Sequence, residues 1–68
     1  MIEITIRDEF IKLGQALKLA GAVDTGSEAK EVITEGLVKV NGETELRRGR
    51  KCVPGDRILF EGEEILIQ

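Results

Sequence analysis

The chain has no histidine, tyrosine or tryptophan, and only one cysteine and one proline in 68 residues. Without histidine, and with Cys52 alone, the usual metal-ligand sets and most acid–base and nucleophile constellations cannot be assembled. So short a chain also leaves a thin core and no room for a buried catalytic apparatus. An enzyme is therefore not expected, and neither is a metal or a cofactor. Cys52 has no disulfide partner and no second ligand at a usable spacing. It reads as a small, partly buried apolar residue entering a strand rather than as a thiol activated by its cationic neighbours. With no signal peptide and no apolar run near twenty residues, the expectation is a disulfide-free cytoplasmic protein that does not enter a membrane.

Charge is unevenly distributed. The total is −3, but residues 1–46 hold nine acids and five bases, residues 52–68 four acids and one base, and Arg47 to Lys51 four bases and no acid. A ligand responds to local potential within a Debye length of roughly 8–10 Å, not to the sum over the chain. The run Arg47, Arg48, Gly49, Arg50, Lys51 is thus a cationic patch within an acidic protein. A solvated loop has little structural reason to avoid every carboxylate.

Hydrophobic periodicity places this patch among its neighbours. Ile2, Ile4 and Ile6 alternate with polar residues, which predicts a strand over 1–6. Phe10, Leu13, Leu17 and Ala20 share one face at 100° per residue, which predicts an amphipathic helix over 9–20, closed by Gly21. Thr25 and Glu28 have capping-box spacing, with the hydroxyl accepting from the first turn and Glu28 reaching back to the Thr25 N–H. A second helix of about ten residues, with Ala29, Val32 and Ile33 as its apolar face, then runs to Gly36. A connection of four or five residues makes the two helices a hairpin. Val38 and Val40 resume alternation, Asn41-Gly42 suits a type I′ turn, and Val53-Pro54-Gly55-Asp56 is a further turn. Short strands over 57–60 and 64–67 flank Gly62. There is no repeat, linker or low-complexity tract.

The run from Ser27 to Gly42 resembles the core of the RNA-binding domain first described in ribosomal protein S-four, the alpha-L domain. Ala29, Ile33, Gly36, Val38, Val40, Asn41 and Gly42 fill that family's pattern in order. Leu13 and Leu17 are spaced like the leucines of its first helix, and Val53-Pro54-Gly55-Asp56 is similar to its closing turn. The resemblance covers about residues 11–60. Where the common form begins its helices with Arg-Leu-Asp and Ser-Arg, this chain has Lys12-Leu13-Gly14 and Thr25-Gly26. The phrases around Phe10 to Gly21, Ser27 to Lys30 and Arg47 to Lys51 are similar to a branch of small stand-alone bacterial proteins.

The resemblance implies an α+β fold, a two-helix hairpin packed on a small, mainly antiparallel sheet, in one domain over 1–68 whose terminal strands flank the family core. It also implies RNA binding by the helices and the loop after them. Structured RNA is recognised through phosphates, 2′-hydroxyls and shape, since its major groove is too deep and narrow for side chains. Arginine forks and lysine point charges suit that work. Arg47, Arg48, Arg50 and Lys51 are the first candidates, with Gly49 allowing close approach of the backbone. Lys12, Gln15 and Lys18 on the first helix and Gly26, Ser27 and Lys30 on the second complete the face, the amides of Gly26 and Ser27 offering a phosphate a helix N-terminus. Each lysine is also an ordinary solvated helix position, and Ser27 an ordinary first-turn residue.

Gly36, Val38, Val40, Asn41 and Gly42 are assigned to structure. Phe10 on the helix face and Phe60 in a strand offer no stacking platform, which argues against reading of single strands. The expected partner is folded RNA, ribosomal or transfer, alone or within ribosomal particles, met by a monomer. A protein-interaction module and a duplex-DNA binder remain as alternatives. A sulfur-carrier fold needs a Gly-Gly tail, and this sequence closes with Ile65-Leu66-Ile67-Gln68. The carboxylates of Glu3, Glu61, Glu63 and Glu64 are expected to repel RNA from other faces.

Overall fold

Alternation of buried side chains with more exposed ones along its longer strands builds the sheet. In the computed structural model, which describes Met1 to Gln68, the strands are β1 (Ile2–Ile4), β2 (Ile11–Lys12), β3 (Val38–Val40), β4 (Glu43–Thr44), β5 (Lys51–Cys52), β6 (Arg57–Phe60) and β7 (Glu63–Ile67). The helices are α1 (Leu13–Leu19) and α2 (Gly26–Thr34). Five strands form one sheet in the order β1-β7-β6-β3-β4, antiparallel except for the pairing of β1 with β7. The other two, β2 and β5, form a separate two-residue ribbon in which Ile11 faces Cys52 and Lys12 faces Lys51.

One face of the sheet carries Ile4, Val38, Val40, Ile58, Phe60, Ile65 and Ile67, all buried, and the helices add Leu13, Ala16, Leu17, Ala29 and Ile33 to the same core. These side chains drive the packing, at roughly 1.5–3 kcal/mol for each large one removed from water. The α+β arrangement is the expected helix hairpin on a mainly antiparallel sheet. Asn41 and Gly42 take φ of 53° and 86°, the positive values that a type I′ hairpin demands. Asn41 does more than turn the chain. Its side chain donates to Asp56 Oδ1 at 3.0 Å and accepts from Arg57 N at 3.0 Å, which ties the β3–β4 hairpin to the start of β6.

Three local expectations are corrected. The first helix begins at Leu13, not Glu9, because Ile11 and Lys12 are drawn into the ribbon with β5 and Lys12 is extended at φ −72°, ψ 143°. Phe10 therefore precedes the helix and lies half-buried outside its apolar face. At α2, Thr25 Oγ1 accepts from Glu28 N at 3.1 Å as the capping box requires, but Glu28 Oε1 accepts from Asp24 N at 2.9 Å, one residue further out than Thr25. Residues 20–25 join the helices, a slightly longer link than the spacing suggested. Neither helix is long and apolar enough to cross a membrane.

Candidate nucleic-acid interface

Helix α1 has no side-chain cap and no acid in its first turn. Its orphan amides are satisfied instead from a distance: Leu13 N donates to Arg50 O at 2.9 Å and Gly14 N to Arg48 O at 3.1 Å. The basic loop is thus docked by its own backbone on the N-terminus of α1. This consumes the donors that an anion would otherwise meet there. At α2 the cap uses the amides of Asp24 and Glu28, and those of Gly26 and Ser27 are not taken up by it.

Docking creates an open groove between α1, α2 and the loop, lined by Lys12, Gly14, Gln15, Lys18, Gly26, Ala29, Arg48 and Gly49. Ala29 is the only apolar residue among them, and three are cations with no carboxylate to balance them. Such a lining does not suit an apolar small molecule but suits an extended polyanion. Gly14 and Ala29 form the floor. A Cβ built on Gly14 would sit 2.8 Å from Arg48 Cγ and 3.7 Å from Ala29 Cβ, so the Arg48 stem crosses the helix where a side chain is missing.

Six of the residues singled out from sequence meet at this groove: Lys12, Gln15, Lys18, Gly26, Arg48 and Gly49. Arg47, Arg50 and Lys51 border a second concavity, which shares Gly49 with the first. Ser27 and Lys30 are exposed on α2 and line neither. The Lys51 ammonium lies 4.8 Å from the centroid of the Phe10 ring, a cation–π contact made possible by the displacement of Phe10 from the helix.

The loop is less free of negative charge than its sequence suggests. Glu45, two residues upstream, is 7% exposed and forms ion pairs at 3.0 Å with both Arg47 and Arg50. Hydrogen bonds from the Arg47 side chain, aided by the Arg47 amide and by Arg50, hold the Glu45 carboxyl down at about 2 from an ordinary 4.5, against the opposing effect of burial. Nothing in its immediate sequence marks Glu45 as buried; only its proximity to the arginines hints at a pair. Cys52 is fully buried beneath the ribbon, and burial, reinforced by the charge of Asp56, pushes its thiol up to about 11. The unreactive reading of this cysteine holds.

Comparison with known proteins agrees with this architecture. The S4-domain family profile matches residues 4–68, further in both directions than the 11–60 covered by the motifs. The chain is 48% identical over 59 residues to a Bacillus subtilis (strain 168) protein named "Probable ribosome maturation protein RlbA", across 87% of this chain and 83% of that one. It is 39% identical over 57 residues to YbcJ of Escherichia coli (strain K12), across 84% of this chain and 81% of that one. The solution structure of E. coli YbcJ, described as revealing an alfa-L motif involved in RNA-binding, superposes with a TM-score of 0.75 at 34% identity, covering 98% of this chain and 86% of that one. By profile, sequence and fold, the chain belongs to the S4-domain family.

Proposed function

We propose that the protein binds structured RNA, ribosomal RNA first and transfer RNA second, through the groove between its helices and basic loop, without catalysing a reaction. One observation carries this reading. In a chain of net charge −3, three cations from two distant segments, Lys12 and Lys18 at α1 and Arg48 in the loop before β5, converge on a groove that contains no carboxylate. Arg47 and Lys51 extend the positive surface along the second concavity. The amides of Gly26 and Ser27 add hydrogen-bond donors at the start of α2, where the helix dipole favours an anion. Lys30, exposed on α2, is a further candidate contact.

The relatives support the same direction. An RNA-binding motif is named for YbcJ and ribosome maturation for RlbA. A monomer acting on ribosomal particles in the cytoplasm is the corresponding reading for this chain.

The test is a titration of purified ribosomal RNA at several salt concentrations with wild type and a Lys12→Gln/Lys18→Gln/Arg48→Gln variant. Three phosphate contacts contribute a slope of roughly −2 to −3 in log affinity against log salt. The variant should lose most of that slope, and it should bind all RNAs more weakly, because phosphate contacts position without reading sequence. An unchanged slope in a folded variant would make the groove a solvated surface. Equal competition by duplex DNA would favour the DNA reading, and a pull-down partner that survives RNase treatment would favour a protein-interaction module.

A further inference from the structure

Glu45 is the one charged residue buried in the protein, and it lines neither concavity. Both of its oxygens are occupied. Oε2 accepts from Arg47 N at 3.1 Å and Arg47 Nε at 3.0 Å; Oε1 accepts from Arg47 Nη2 at 3.3 Å and Arg50 Nη1 at 3.0 Å. The segment 45–50 is therefore wrapped around a carboxylate of its own. Arg50 is held at both ends, by its guanidinium on Glu45 and by its carbonyl on Leu13 N. Arg48, between the two paired arginines, is the loop cation whose side chain enters the groove.

A buried carboxylate that loses one of its partners loses part of what compensates its burial, and that loss costs more than the pair itself contributes. A phosphate that recruited Arg50 would impose that cost, leaving Glu45 to Arg47 alone. Arg50 has a side chain only 29% exposed, whereas Arg47, at 77%, engages Glu45 through its Nε and Nη2 edge and leaves Nη1 without a protein partner.

We propose that Glu45 is a positioning residue for RNA binding. Its carboxylate folds the basic loop onto α1, commits Arg50 to the interior of the loop, and so presents Arg48 to the groove. The proposal rests on the RNA-binding reading above, and it makes a prediction of unusual sign. Removing a negative charge from a cationic surface should by Coulomb attraction alone tighten its hold on a polyanion. Here, removing the charge of Glu45 weakens it.

The experiment compares wild type, Glu45→Gln, Arg50→Gln and the double variant, by titration of purified ribosomal RNA over a salt series and by amide exchange at Leu13 and Gly14. Glu45→Gln is expected to bind RNA about tenfold more weakly, the factor that one charge-assisted hydrogen bond is worth. Exchange at the two α1 amides should accelerate relative to the rest of the helix. Arg50→Gln should weaken binding without flattening the salt slope, and the double variant should be no worse than either single one. Tighter or unchanged binding by Glu45→Gln overturns the proposal. So does a loss of roughly 0.9 in slope with Arg50→Gln in both backgrounds, the mark of a direct phosphate contact. If Glu45→Gln alone does not fold, the slope of Arg50→Gln decides. A wild type that shows no salt-dependent RNA binding removes the underlying reading and this proposal with it; unchanged amide exchange in Glu45→Gln, with wild-type binding intact, overturns this proposal alone.

Discussion

Gly14 sits inside a helix at a position without unusual backbone geometry, so its value lies in what it leaves empty. An alanine there gains up to about 1 kcal/mol of helix propensity. It also places a methyl 2.8 Å from Arg48 Cγ, near the root of that side chain, where a rotamer change at the tip cannot relieve the contact. The two effects on stability oppose each other, but only the clash touches the groove. Gly14→Ala should therefore melt within about 1 kcal/mol of wild type while binding ribosomal RNA about tenfold more weakly, because the loss of one charge-assisted contact is worth about that much. RNA titration beside a urea melt measures both. Full affinity would show that Arg48 reaches its phosphate from the displaced position or does not contact one.

At the scale of elements, the two helices solve the same problem differently. Helix α2 carries its own cap, with Thr25 as the acceptor for Glu28 N. Helix α1 borrows its cap from carbonyls more than thirty residues away. Thr25→Ala should cost about 1 kcal/mol, as removal of an N-cap hydroxyl commonly does. It should leave the salt slope of RNA binding unchanged, since no charge is lost. A denaturant melt and the same titration check this; a cost well below a few tenths of a kcal/mol would mean that Glu28 and Asp24 hold the turn unaided. In α1, by contrast, capping and the placement of a groove cation are one device, because the carbonyls that close the helix belong to the loop that carries Arg48.

Over the whole molecule, the acidic excess and the basic loop are linked through Glu45. Its carboxyl is held at about 2 in the folded protein against an ordinary 4.5. A depressed folded value gives stability that is present above about pH 4.5 and is lost as pH falls toward 2. The difference corresponds to at most about 3–4 kcal/mol, at 1.36 kcal/mol per pKa unit. Because the principal partner, Arg47, is largely in solvent, screening reduces this to about 1–2 kcal/mol. Urea midpoints of wild type and Glu45→Gln between neutral pH and pH 2 should converge as acid is added, wild type losing more. Parallel acid profiles would show that the pair contributes nothing net. By the same standard the exposed Arg57–Glu64 pair, at 2.8 Å, adds little.

What the sequence by itself determined was whatever local chemistry and period decide. The alternation of Val38 and Val40 and of Ile58 and Phe60, the Thr25 cap, the Asn41-Gly42 turn and the leucine spacing of α1 are each specified within a few residues, and each appears in the fold. The convergence of Lys12 and Lys18 with Arg48 was legible as a list of cations but not as a groove. What only tertiary structure decided depends on contacts between segments distant in sequence. The helical period of Phe10 was real but lost to the pairing of Ile11 and Lys12 with Lys51 and Cys52, because strand hydrogen bonds and burial of Ile11 outweigh one more turn of helix. The basic run looked free of acids because Glu45 lies just outside it; its arginine partners are only two and five residues away, but no local pattern marks its burial. Gly14 stood out only as a departure from the family's Arg-Leu-Asp, with no hint of its role, since an empty position acquires meaning only from the side chain that fills it, here Arg48 from a segment distant in sequence.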